Sequence, residues 1–367
     1  MTTGAPIRRL LMTADAVGGV WTFALELAAG LAERGVRTRL AVLGPPPTAD
    51  QQRKAVAVPG LELVVAGHDL EWRDRRGAID WAARQRLLAL ADDSRPDVVH
   101  VNGFREAACG WASPVVLVAH SCVRSWWRAC RGCEPPIEWS AYNAGVRAGL
   151  EAADAVVAPT RSFLGELQLL YGPLPGARAI RNGRTLDLPP RRTRKPLILA
   201  AGRLWDEGKN IAALARIAPR LPWPVAVAGE TPRGGALPGL VHLGRLDEAA
   251  LAEVMSEAEI FCAPALYEPF GLAVLEAAIC GAALVLSTAP SLVELWSKAA
   301  QFVEPDDVDR LAGTLLDVIE DPLARARLQQ AARERAAAYG RSRMAEAYLG
   351  LYAELASGRL RPGERAA

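Results

Sequence analysis

Twice along this chain, short apolar runs rich in β-branched residues alternate with longer amphipathic stretches, and between the two series the alternation stops. In the first half the runs 7–13, 38–43, 61–65, 97–101, 115–119 and 155–158 are too short for helices. Amphipathic stretches at 21–34, 79–91, 139–152 and 162–171 lie between several of them. Strands this apolar need cover on both faces, and intervening helices supply it, so the pattern predicts a parallel sheet. Periodicity lapses over 181–196, where Asn-Gly, Pro-Pro and a basic cluster read as a linker. It restarts with strands at 197–201, 225–229, 240–243, 260–263, 283–287 and 301–303, and helices near 211–220, 248–256 and 272–280. Three further helices, 308–319, 322–339 and 342–355, follow. The expected organisation is a doubly wound α/β domain over 1–181, a linker over 182–196 and a second such domain over 197–341. A separate helix over 342–356 and a frayed tail over 357–367 complete it. In such sheets ligands sit beyond the C-terminal strand ends, so two domains facing each other would bind across a cleft.

Composition narrows the class. Of 367 residues 51% are hydrophobic, which excludes low-complexity disorder. A net charge of +2 argues against a dedicated nucleic-acid binder. No uninterrupted apolar run of about 18 residues exists to span a membrane. Arg8 and Arg9 precede an apolar stretch cut short by Asp15, unlike a signal peptide. Six cysteines do not make a disulfide scaffold, and a reducing cytoplasm is expected. The basic run at 191–195 is either a solvated linker or a peripheral contact with anionic lipid at the inner face of a membrane. Ten tryptophans against six tyrosines and six phenylalanines is an unusual balance.

Candidate chemistry lies at predicted strand ends. Glu268-Pro269-Phe270-Gly271-Leu272 leads from a strand into a helix, where the free N–H groups of Gly271 and Leu272 suit phosphate or sugar oxygens. Glu276, about one and a half turns in, has apolar helical neighbours, and an ionised carboxylate there needs hydrogen-bond partners. Sugar or ribose hydroxyls would serve both glutamates; the simpler reading of Glu276 is attraction to the positive helix end. Gly202-Arg203-Leu204 with Lys209-Asn210 follows the first strand of the second series, either as a diphosphate-binding loop or as a solvated basic pair. Gly18-Gly19 opens a helix after the first strand, as an anion loop or a tight turn, and lacks the dinucleotide spacing.

His120 ends a strand and can orient a hydroxyl or carry a proton. His100 ends the preceding strand as a milder candidate or a core residue, and His68 and His242 have no supporting context. Cys122, Cys130 and Cys133 near His120 have a spacing that zinc or redox chemistry could use, but a second Cys-x-x-Cys pair is missing and free thiols are expected.

Taken in order, Gly18-Gly19-Val20, Arg181-Asn182-Gly183, Gly202-Arg203-Leu204 with Lys209-Asn210, and Glu268-x7-Glu276 resemble a family 4 glycosyltransferase over nearly the whole chain. The resemblance implies the GT-B architecture, two Rossmann-like domains across a cleft, and retaining transfer of a sugar from a nucleotide-diphosphate donor to a hydroxyl acceptor. Neither a metal nor a resident cofactor is implied. Glu268 is then expected at donor-sugar hydroxyls, Glu276 at the ribose, and Arg203 and Lys209 at the diphosphate with Gly18 and Gly19. His120 falls near the reacting sugar, and Gly229, Glu230 and Arg245 near the base. Phe270, Gly271 and Leu272 belong to the donor loop. The last helix of such proteins commonly returns to the first domain. Two positions depart from the pattern: Trp21-Thr22 follows the glycine loop, and Arg184 replaces the aliphatic residue usual after Asn-Gly.

The acceptor, a glycan, a lipid-linked sugar or a small molecule, is expected at the first domain. There Trp21, Trp126, Trp127 and Trp139 offer flat indole faces to a sugar or aglycone, or simply pack an irregular loop. Competing readings are a nucleotide-sugar epimerase, a phosphorylase or a catalytically silent sugar-nucleotide binder of the same architecture.

Overall fold

A computed structural model describes residues 6–67, 70–73, 75, 77–189, 193–231 and 235–358. His68, Arg191, Arg192 and most of the predicted tail lie outside the described residues. Internal contacts divide the chain into two units, one of Met1–Arg128, Cys133–Gly183 and Arg341–Ala367, the other of Ala129–Gly132 and Arg184–Gly340.

In the first unit the elements run β1 (Arg9–Asp15), α1 (Gly19–Ala32), β2 (Arg37–Leu43), α2 (Ala49–Val56), β3 (Leu61–Val65), α3 (Trp81–Ser94) and β4 (Val98–Val101). They continue through α4 (Phe104–Ala107), β5 (Val115–Val118), α5 (Val123–Arg131), α6 (Ser140–Ala152), β6 (Ala155–Ala158), α7 (Arg161–Tyr171) and β7 (Arg178–Ala179). The sheet order is β3-β2-β1-β4-β5-β6-β7 with parallel pairings, for example Leu10 against Thr38 on one side and Val98 on the other. Strand order reverses at β1/β4, the place where sheets of this kind bind ligands beyond their C-terminal strand ends. The two-residue β7, α2 and α4 carry too little periodicity to be read from sequence.

The second unit runs β8 (Lys195–Ala201), α8 (Ile211–Ile217), β9 (Val225–Ala228), β10 (Val241–Gly244), α9 (Glu248–Glu257), β11 (Ala258–Ala263) and α10 (Leu272–Cys280). It continues through β12 (Ala283–Ser287), α11 (Pro290–Trp296), β13 (Gln301–Val303), α12 (Val308–Glu320) and α13 (Pro322–Ala336). Its parallel sheet is ordered β10-β9-β8-β11-β12-β13, reversing at β8/β11. Alternate strand residues face opposite layers, as the two-residue period requires. Leu199, Phe261, Leu284 and Leu286 join a core with Val274, Leu295 and Ala332. Ile198, Ala200, Ile260, Cys262 and Val285 join another with Leu214 and Leu315.

α14 (Arg341–Ala356) belongs to the first unit. Tyr348, Leu351, Tyr352 and Leu355 enter the core formed by Met12, Phe23, Leu27, Val98 and Val116. Its backbone lies so close to α1 that a Cβ on Gly30 would sit 2.8 Å from Ala345 Cβ. Arg341 Nε donates to the buried Glu26 Oε2 at 2.6 Å across the same contact.

The start of the predicted linker differs from expectation. Asn182 and Arg184 are buried, Gly183 N–H donates to Met344 Sδ, and Arg184 N–H donates to Tyr339 O at 2.9 Å. Arg184 folds inward because the tertiary structure provides partners that the sequence pattern does not reveal.

Candidate active site

In the second unit the loops after β8 and β11 meet at the reversal point. Asp206 fixes the first loop: its Oδ1 accepts from Gly208 N–H at 2.9 Å and its Oδ2 from Arg203 at 2.8 Å. Asn210 ties the loops together, donating from Nδ2 to Pro264 O at 2.9 Å and Pro305 O at 2.8 Å. Tyr267 N–H adds a bond to Gly208 O at 3.1 Å. The result brings Lys209 Nζ to 2.5 Å from Glu268 Oε2, a part-buried ion pair. Arg203 lies over the Trp205 ring, 5.5 Å from its centroid. Ser291 Oγ donates to Glu268 O and holds the second loop from the α11 side.

Gly271 precedes α10 with φ 87° and ψ 66°, a left-handed conformation that favours glycine. Leu275 N–H closes the first turn on Gly271 O, so the earlier N–H groups of α10 have no intrahelical acceptor. Gly229 is confined differently: at φ 152° a Cβ would lie 2.0 Å from Gly202 O, so two strand-end loops can approach only through glycine. Glu230 and Arg245 lie exposed beside this crossing.

Phe270 is a correction. Its ring is buried in the core against Tyr339, 6.2 Å between centroids, so only its backbone belongs to the loop. Glu276 differs more. Arg184 Nε donates to Glu276 Oε1 at 2.7 Å, and the same guanidinium reaches Glu248 Oε2 at 3.0 Å. The carboxylate among apolar walls therefore has a cationic partner within the protein. The unusual residue after Asn-Gly was the signal for it, but nothing in the sequence connects positions 184 and 276.

In the first unit Gly18 caps α1 at φ 78° and Gly19 opens the helix, both exposed. Trp21 is a second correction: at 4% exposure it is a core residue, excluded from any surface contact with a ligand. Trp126 and Trp127 are half-buried on α5, ring centroids 6.0 Å apart and edge to face. Trp139 stacks edge to face on Tyr142 and lies under Arg75 at 5.4 Å. Cys122 is buried with Sγ 3.1 Å from Tyr171 Oη, Cys130 is half-buried and Cys133 exposed. Among the described residues no group of three or more His, Cys, Asp or Glu side chains is placed to hold a metal ion. His242 Nε2 accepts from Leu237 N–H at 3.0 Å, a structural role.

His120 Nε2 is 2.7 Å from Asn102 Oδ1, and its ring packs edge-on against Phe23. Burial, with a contribution from His100, depresses its pKa to about 3, so the ring is neutral near pH 7. Glu71, more than thirty positions before α4, caps it by accepting from the N–H groups of Phe104 and Arg105. Burial, then the neighbouring Glu71, raises the Glu106 pKa to about 8. Neither glutamate carries a motif, and both escape sequence reasoning.

Known proteins resemble this chain over most of its length. Residues 17–188 match Glycosyltransferase Family 4 and residues 189–335 match Glycosyl transferases group 1. Glycogen synthase of Mycobacterium tuberculosis is 30% identical over 301 residues, 75% of this chain and 67% of that protein. D-inositol 3-phosphate glycosyltransferase of Xylanimonas cellulosilytica is 28% identical, covering 93% of each chain. Sucrose-phosphate synthase of Thermosynechococcus elongatus superposes with a TM-score of 0.77 at 17% identity, over 96% of this chain and 100% of that one. Anabaena HepE, solved with UDP-glucose, superposes at 0.75 and 16% identity, over 95% and 100%. The chain belongs to glycosyltransferase family 4, and it is a glycosyltransferase with the GT-B fold.

Proposed function

We propose that this enzyme transfers a sugar, with retention of configuration, from a nucleoside-diphosphate sugar to a hydroxyl of a glycan, lipid-linked or small-molecule acceptor, without a metal ion. The observation that carries the reading is the convergence of Arg203, Lys209 and the N-terminus of α10 at the reversal point of the second sheet. Two cations and unsatisfied N–H groups at one strand edge suit a diphosphate and the negative charge that grows on it as it leaves. Lys209 is held by Glu268 in this structure. Binding exchanges that partner for a phosphate oxygen, which frees a Glu268 oxygen for a sugar hydroxyl. Glu276, oriented by Arg184, takes the ribose hydroxyls.

Departure of the nucleoside diphosphate leaves oxocarbenium-like charge at the anomeric carbon. The acceptor hydroxyl attacks on the face just vacated and gives its proton to the departing phosphate. Relatives named for glycogen, inositol phosphate and phosphatidyl-inositol chemistry, and a structural neighbour holding UDP-glucose, support this reading without choosing among acceptors.

The test is nucleoside diphosphate release from a panel of donors, with and without acceptors, in the presence of EDTA. Transfer with an α-linked product from an α-linked donor is expected. An epimerase would isomerise the donor without an acceptor, a phosphorylase would release sugar phosphate, a silent binder would bind without release, and loss of transfer on chelation would reject metal independence.

A further inference from the structure

Behind His120 a line of side chains runs from the core to the C-terminal edge of the first sheet. Asn102, just after β4, is fixed at both ends of its own residue. Its Nδ2 donates to Thr13 O at 2.6 Å and its backbone N–H to Thr13 Oγ1 at 3.2 Å. Because a carbonyl can only accept, the amino end of the carboxamide must face Thr13, and Oδ1 faces the histidines. His120 Nε2 lies 2.7 Å from that oxygen and His100 Nε2 3.2 Å from it. An oxygen that only accepts requires N–H at both positions. His100 Nδ1 then carries the lone pair and accepts from Tyr352 Oη at 2.6 Å. Each proton in the line has one acceptor, with both rings neutral.

We propose that Asn102 is a positioning residue. Backed by the His100–Tyr352 pair, it holds His120 as the Nε2–H tautomer and presents Nδ1 as an acceptor for a hydroxyl of the bound sugar. The hydroxyl rests on the transferase reading; the tautomer does not. The surroundings fit. His100 is fully buried on β4, α1 contributes the uncharged Phe23 ring, and α14 contributes Tyr348, with its ring 5.4 Å from His100, and Tyr352. Among the described residues, the ionisable groups in ring or hydrogen-bond contact with the pair are each other and two phenols. A neutral Nε2–H ring cannot supply a proton from Nδ1, so His120 orients a hydroxyl and is not a general acid. The same line places Tyr352, on α14, two hydrogen-bonded side chains away from His120.

The experiment is long-range proton–nitrogen correlation NMR on the full chain labelled with 15N-histidine. The chain has four histidines, and His100→Asn and His120→Asn assign the two signals. In the wild type both rings should show the Nε2–H pattern and not titrate between about pH 5 and 8. Asn102→Ala should populate the Nδ1–H form of His120. Asn102→Asp, with a carboxylate at the same place, should raise its titration by at least about one pH unit. Tyr352→Phe should mix the tautomers of His100. With a donor and acceptor in hand, Asn102→Ala should lower kcat at least about tenfold, the effect of one misaligned hydrogen bond, while donor KM stays near wild type. A wild-type His120 in the Nδ1–H form, or a tautomer indifferent to both Asn102 variants, overturns the proposal. If Asn102→Ala does not fold, the wild-type tautomer and Asn102→Asp decide. Expected tautomers with no sugar transfer from any donor would reject the transferase mechanism and keep this assignment; transfer with an Asn102-independent tautomer would do the reverse.

Discussion

Arg184 and Glu276 form a part-buried ion pair, Nε to Oε1 at 2.7 Å, with side chains 5% and 13% exposed. Ninety-two positions apart in the chain, they join the stretch that follows Asn-Gly to the middle of α10. Burying either charge alone is costly, so the two depend on each other. Arg184→Met should therefore lower the unfolding free energy by about 1.5–3 kcal/mol, the scale of losing a hydrogen bond to a charged group. The double variant Arg184→Met/Glu276→Met should recover most of the loss. Urea denaturation of the four proteins measures the coupling, and a double variant as unstable as the sum of the singles would contradict it.

Arg203 and Lys209 share a strand edge with the α10 N-terminus. Each alanine variant should reduce turnover by at least about a hundredfold, the effect of one strong contact to charge developing in the transition state. Glu276→Ala should mainly weaken donor binding, read as KM or by calorimetry. Near-normal turnover in both basic variants would remove the anion site from this loop.

Acid and alkali should destabilise the fold through different groups. His100 and His120 titrate near 3 in the folded protein against 6.5 ordinarily, both because burial disfavours the charged ring. The unfolded chain binds their protons first, so their contribution is complete above about pH 6.5 and lost as pH falls toward 3. Glu106 runs the other way. Burial and the Glu71 carboxylate raise it from 4.5 to about 8, so its contribution is complete below about pH 4.5 and lost as pH rises through 8. Glu106→Gln should flatten the decline of Tm between about pH 4.5 and 8. A slope unchanged by the substitution would show that Glu106 ionises without cost.

Gly229 tests the crossing of the β8 and β9 loops. A Cβ there would lie 2.0 Å from Gly202 O, at a φ of 152° that side chains avoid. Gly229→Ala should cost about 2 kcal/mol or more, as expected for a clash with backbone at a special dihedral. The comparison Gly313→Ala, on α12 with open space around it, should be neutral or mildly stabilising. Equal behaviour of the two variants in thermal unfolding would deny the close approach.

The alternation of apolar runs and amphipathic stretches was enough to place β3, β6, β12, β13 and α10 at their observed bounds, because a strand buried on both faces must be apolar along its whole length. Gly271, Arg203, Lys209 and Glu268 were singled out for a related reason: each lies on a segment that follows a strand, where residue type limits what the backbone can bind. The tertiary structure alone decided the partners. Arg184 with Glu276, Lys209 with Glu268 across 59 positions, and Tyr352 with His100 across 252 are contacts that no local pattern encodes. Trp21 and Phe270 show the converse, since an aromatic beside a glycine loop reads as a ligand contact until packing draws it into the core. Periodicity records which face of an element is buried. Which polar side chains meet on that face depends on how distant segments converge, and pairs such as Arg184 with Glu276 form only there.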